Sequence, residues 1–205
     1  GTKIETFGST GIGEGELLGP QYLASDEEGF IYVSEWGNRR ISKFSSQGEF
    51  LLSFGESRGS FEGLERPAGV AYIDESLLVA DRTSDGGRLV RFDLSGNYLQ
   101  EIDGLPFDAP ESIRAIGEGR LLVADTDAIH IVDVRNEELL QTIEEGISSR
   151  VTSADRDPNG NIVAVDFDDN ALLLFAEERA LYTGMVVQVD YIRSEEFPRV
   201  TFQAT

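Results

Sequence analysis

The chain has 205 residues, with 17 Lys+Arg against 38 Asp+Glu and a formal net charge of −21. Such acidity repels phosphate backbones and anionic lipid headgroups, which argues against nucleic-acid partners and electrostatic membrane binding. With no cysteine and a single histidine, His130, the chain has no disulfide, thiol nucleophile, thiolate metal site or three-histidine metal centre.

In chain order, Lys3–Phe7 is predicted as the last strand of a blade whose other strands are not upstream. Gly11–Gly15 reads as a linker loop, because no helix follows to aim its amides at a phosphate. A first repeat then runs from Pro20 to Gly55. It holds an opening strand, a turn at Gly29, the strand Ile31–Ser34 ending on Glu35, a third strand ending near Phe44, and Phe50–Phe54. The second, Pro67 to Ile102, turns at Ser76, reaches Asp81, carries an insertion at Ser84–Gly87, and continues through Phe92 to Tyr98–Ile102. The third, Pro110 to Ile143, turns at Gly119, reaches Asp125, and continues through Val132 to Leu139–Ile143. The fourth, Val151 to about Val186, turns at Gly160, reaches Asp166, and continues through Phe175 to Leu181–Met185. Beyond it, Val186–Ile192 and Arg199–Gln203 alternate like a strand and its hairpin partner.

The acids recur at intervals of 46, 44 and 41 residues. Four short antiparallel strands in just over 40 residues is the arithmetic of a β-propeller blade. One such sheet cannot bury both its faces, so blades must pack face to face around an axis. The expected fold is therefore all-β, a propeller of four complete blades plus an N-terminal strand and a C-terminal hairpin.

The first repeat identifies a family. Asp26, Gly29, Ile31-Tyr32-Val33, Glu35, Asn38 and Arg40-Ile41, followed by Phe44, Gly48 and Ser53-Phe54-Gly55, resemble the NHL repeat. The other repeats match less closely: Asp169-Asn170 is kept in the fourth, but Leu172 stands where the arginine would be. The resemblance implies NHL-like blades over residues 1–186, and such propellers usually close with six. Residues 187–205 are expected to be an irregular hairpin, either closing the ring or starting a following domain. The second reading, a piece of a longer protein, is preferred.

Four groups of residues could carry chemistry. Glu35, Asp81, Asp125 and Asp166 could ring a channel mouth and hold Ca²⁺ or a cationic ligand. Their repetition instead favours a structural role, each accepting turn amides, with Arg40 as a partner in the first blade. Asp155, Asp157, Asn159 and Asp166, with Gly160 between, match the spacing of a calcium loop, although Asp-Pro-Asn-Gly is also a strong hairpin turn. His130 alternates with apolar neighbours and reads as a packing residue. Trp36, Arg39 and Arg40 leave a blade edge and are the best candidates for a binding contact.

The expected function is a non-enzymatic protein-interaction scaffold, a module of a larger chain. Its partner is a protein or a neighbouring domain, with self-association through open blade edges as a further outcome and no nucleic acid or membrane insertion. Two alternatives stand beside it: a calcium-dependent enzyme like six-bladed lyase and esterase-like relatives, and a module binding carbohydrate or another small ligand. The resemblance to modular secreted and cell-envelope proteins implies an extracytoplasmic setting.

Overall fold

A computed structural model describes residues 1–102, 104–148 and 150–176, and the strands Gln188–Ile192 and Arg199–Gln203. Among the described residues every regular element is a β-strand. Short Val-, Ile- and Leu-rich runs punctuated by Gly, Asp and Asn leave the backbone no helical alternative. After a small parallel pair, β1 (Ser9–Thr10) with β2 (Glu16–Leu17), come antiparallel sheets in chain order. Blade one is β3 (Pro20–Ser25), β4 (Ile31–Glu35), β5 (Arg40–Phe44) and β6 (Phe50–Phe54). Blade two is β7 (Pro67–Ile73), β8 (Ser76–Thr83), β9 (Gly86–Asp93) and β10 (Tyr98–Ile102). Blade three is β11 (Pro110–Ala115), β12 (Arg120–Asp125), β13 (Ala128–Asp133) and β14 (Glu138–Ile143). Blade four shows β15 (Val151–Arg156), β16 (Ile162–Asp166) and β17 (Ala171–Phe175); the strand expected over Leu181–Met185 lies outside the described residues. The C-terminal β18 (Gln188–Ile192) and β19 (Arg199–Gln203) pair antiparallel as the alternation predicts.

The first strands touch in succession, β3 on β7, β7 on β11 and β11 on β15. They line a common channel holding a cavity of about 300 Å³ whose walls include Tyr22, Tyr72, Ser112, Arg114 and Ser153. The Tyr22 hydroxyl donates to the Thr152 carbonyl at 2.7 Å, joining the first and fourth blades. The chain is thus a β-propeller of four blades.

Blade two shows why its second strand is apolar without a break. Leu77 and Val79 of β8 face blade one with Val90 and Phe92, while Leu78 and Ala80 face blade three with Leu89 and Ile102. A strand buried on both faces has no polar phase to display. Each such leucine or phenylalanine contributes roughly 1.5–3 kcal/mol by leaving water. Among the described residues the two outer blades are less buried than the inner two. Leu23 is 70 % exposed where its repeat equivalents Val70, Ile113 and Ala154 are 4, 6 and 4 %. Leu172 is 62 % exposed where Leu89 and Ile129 are fully buried.

Close packing of the inner strands needs Gly69. A Cβ there would stand 2.6 Å from the Ile113 amide nitrogen and 3.0 Å from the Ser112 carbonyl carbon, both backbone. Gly69→Ala is expected to cost about 1–3 kcal/mol in urea unfolding, as overpacked cores do. A loss below about 0.5 kcal/mol would show that the blades separate freely.

Two expectations are corrected. The second-blade turn is not at Ser76 but at Asp74-Glu75, both left-handed with φ of 48° and 56°, which is the two-residue hairpin geometry that matches strand twist. Lys3–Phe7 is not a strand, because no described strand lies beside it to complete a ladder. Phe7 nevertheless packs on Phe44 at 5.4 Å, as Phe54 packs on Phe92 at 5.1 Å, so the residue keeps the place that the repeat assigns.

Candidate functional site

The repeated acids are buried and consumed by structure. Glu35, Asp81, Asp125 and Asp166 are each no more than 2 % exposed. Their first three amide partners differ from the expectation, because they come from the linker entering the blade and not from the turn leaving it. Glu35 accepts from the Leu18 amide at 2.9 Å, and Asp81 from those of Glu65 and Arg66 at 3.0 and 2.8 Å. Asp125 accepts from Asp108 and Ala109 at 2.8 and 2.6 Å. Asp166 takes an amide from the following turn, that of Asp169 at 3.1 Å. Cations complete two of the clamps, Arg40 with Glu35 and Arg88 with Asp81, both at 2.9 Å. In blade three the cation's place is taken by the buried His130, whose Nε2 stands 3.5 Å from Asp125 while Nδ1 meets the Thr142 hydroxyl at 3.0 Å. Burial pushes the Asp81 carboxyl above its ordinary value, against the pull of Arg88, so the ionised clamp depends on that guanidinium.

The calcium-loop residues do not converge. Asp157 closes a hairpin turn, accepting the Asn159 and Asn161 amides at 2.8 Å each. Asp155 bonds its neighbour's amide and pairs with Arg114 at 3.5 Å. Asp155 stands opposite Val163, and Asp166 opposite Val151 at the far end of the ladder. Three strand steps separate the two acids, roughly 10 Å, more than one ion's coordination sphere spans. The spacing misleads because a calcium loop turns back on itself, whereas β16 runs straight. Among the described residues no group of three or more His, Asp or Glu side chains is placed to hold a metal ion.

The Asn161 side-chain amide, with the turn amides, holds the Asp157 carboxyl below its ordinary value of 3.8. A lowered folded value means that this turn's contribution is present above 3.8 and lost as pH falls through the lower value. A carboxyl-carbon NMR titration should find the Asp157 midpoint below 3.8, moving back toward it in Asn161→Ala; an unchanged midpoint in the variant would remove Asn161 as the cause.

Of the binding-loop candidates, Trp36 is 53 % exposed and Arg39 is exposed in a left-handed turn with φ of 54°. Arg40 is turned inward: besides Glu35 it donates to the carbonyls of Ile12, Gly13 and Glu16. Trp36 opens onto a cavity of about 390 Å³ that it shares with Gln21, Arg66, Arg82, Glu111 and Arg150. This is the channel mouth at the acid end of the blades. The repeat explains the gathering. The residue after each acid is Trp36, Arg82 or Phe167 in blades one, two and four, and its amide bonds the carbonyl of the residue before the first strand. Those bonds are Trp36 to Gly19 (3.1 Å), Arg82 to Arg66 (3.2 Å) and Phe167 to Arg150 (2.9 Å). Sequence reasoning missed Arg66, Arg82, Arg150 and Phe167 at the mouth, although aligning the position after each acid would have found Arg82 and Phe167.

No protein-family model matches the chain. It is 24 % identical to Protein brain tumor of Drosophila melanogaster over 128 residues, 62 % of this chain and 12 % of that protein. It is 42 % identical to the E3 ubiquitin-protein ligase TRIM71 of Rattus norvegicus over 50 residues, 24 % of this chain and 6 % of that protein. The chain thus spans a small part of the curated relatives it matches. Among solved structures, the WD40 β-propeller domain of Doa1 superposes with a TM-score of 0.59 at 16 % identity, covering 77 % of this chain and 49 % of that one. Virginiamycin B lyase from Staphylococcus aureus gives 0.59 at 18 % identity, covering 77 % and 52 %. These likenesses show the propeller fold.

Proposed function

We propose that the chain is a non-enzymatic, NHL-type interaction propeller that presents its channel mouth to a protein partner. The observation that carries this reading is the division of labour among the polar residues. The repeated acids are buried in clamps, while Trp36 and Arg39 stand exposed on a loop held by those clamps. Exposed Trp and Arg on a rigid scaffold are what protein contacts are made of. The resemblance of the first repeat, and the likeness to brain tumor and TRIM71, both NHL-repeat proteins, support the same reading.

The test is affinity capture from extract of the source cells with wild type and with Trp36→Ala, Arg39→Ala. The expected result is a discrete protein retained by wild type and reduced at least tenfold by the variant. Equal retention by both proteins, or turnover of lactone and ester substrates by the purified chain, would overturn the proposal.

A further inference from the structure

We infer that the channel mouth is a receptor for an acidic peptide segment, one or two carboxylates flanked by an apolar side chain; this deepens the interaction reading above and rests on it. Three guanidinium groups, Arg66, Arg82 and Arg150, meet at the mouth against a single carboxylate, Glu111. Such a concentration is unexpected in a chain with 17 basic and 38 acidic residues. Glu111 Oε1 holds Arg82 at 2.9 Å and Arg150 at 3.6 Å, so one oxygen aims both forks into the same space. Backbone carbonyls fix the rest: Arg82 Nε donates to Pro110 at 3.1 Å, and Arg66 Nη2 to Thr83 at 3.1 Å. Each guanidinium has five donors, so most of them are not spent in these bonds. The Arg150 guanidinium lies 4.5 Å from the Phe167 ring centroid, and Phe167 is 56 % exposed. With Trp36, which lines the same cavity as Arg150, this puts two exposed aromatic rings beside the arginines.

Arginine forks match carboxylates in bidentate geometry, and exposed aromatic faces reward an apolar neighbour of the carboxylate. The rest of the molecule decides the size of the ligand. A polyanion such as nucleic acid would extend beyond the mouth onto a surface of strongly negative charge, and would lose there what it gained. A short peptide meets only the mouth, because charges more than about 8–10 Å away are screened in physiological salt.

The chain's one tryptophan is Trp36, so its emission, excited apart from tyrosine, reports binding at this mouth. The probe is the acetylated, amidated pentapeptide Gly-Glu-Phe-Glu-Gly, compared with the same peptide carrying Gln for Glu and with an eight-nucleotide thymidine oligomer. The expected result is a saturable change in Trp36 emission with the glutamate peptide, at least tenfold weaker with the glutamine peptide and in Arg82→Gln, Arg150→Gln protein. The change of peptide leaves the protein untouched, so it tests the inference even if the double variant unfolds. No saturable change, equal response to both peptides, or tighter binding of the oligomer would overturn it. Loss of partner capture in Trp36→Ala, Arg39→Ala alongside silence to the glutamate peptide would leave the interaction reading standing and remove the acidic ligand alone.

Discussion

Asp81→Ala should destabilise the chain by about 3–5 kcal/mol, the cost of removing one partner from a buried ion pair. The carboxylate is fully buried and gathers Arg88 at 2.9 Å with the Glu65 and Arg66 amides at 3.0 and 2.8 Å. Removing it leaves the Arg88 guanidinium, 16 % exposed, with only Glu101 at 2.9 Å and the Gly63 carbonyl at 2.6 Å, and takes the acceptor from two linker amides. At about 2–4 °C per kcal/mol for a chain of this size, melting should fall by roughly 10 °C. Urea unfolding measures the effect directly. A loss under about 1 kcal/mol would mean that the clamp is solvated and the acid's role lies elsewhere. Arg88→Met added to Asp81→Ala should recover part of the loss, because an apolar pair in place of a buried ionic one is often neutral.

Phe92→Ala is expected to cost about 3–5 kcal/mol, as large aromatic truncations in cores do. Phe92 is 1 % exposed and sits among Phe54, Phe61 and Tyr98, with ring centroids 5.1, 5.5 and 6.3 Å away. Two of those rings belong to other segments: Phe54 ends the last strand of blade one, and Phe61 lies in the linker. The vacated space therefore opens the seam between blades one and two as well as the core of one sheet. Trp36→Ala makes the contrast, since surface truncations usually stay within about 0.5 kcal/mol. A Phe92→Ala loss no larger than that of Trp36→Ala would contradict the blade packing described above.

The blades were legible because a blade is made of local hairpins, and each hairpin announces itself in a few residues. Gly29, Gly48, Gly96 and Gly160 all sit at positive φ where the repeat places turns. The acids were legible as a repeat, and their structural reading survives, but their partners were not. Leu18, Glu65, Arg66, Asp108 and Ala109 lie 15 to 17 residues upstream in the linkers, and they bond through backbone amides, which side-chain patterns do not report. The channel mouth was harder still. Arg82, Glu111 and Arg150 come from three different blades and meet only because the propeller brings the same end of every first strand to one axis. Calcium spacing failed for the opposite reason, as it counts along the chain where geometry depends on whether the chain turns. Asp166 lies at the far end of a straight strand from Asp155.

In the proposed division of labour, buried acids hold the propeller together and the Trp36 mouth binds the partner. Partner capture and thermal melting, measured side by side on Trp36→Ala, Arg39→Ala, test it most directly. At least tenfold loss of the captured protein is expected, with melting within about 2 °C of wild type, as for surface truncations. Capture undiminished in that variant, at unchanged melting temperature, would contradict it.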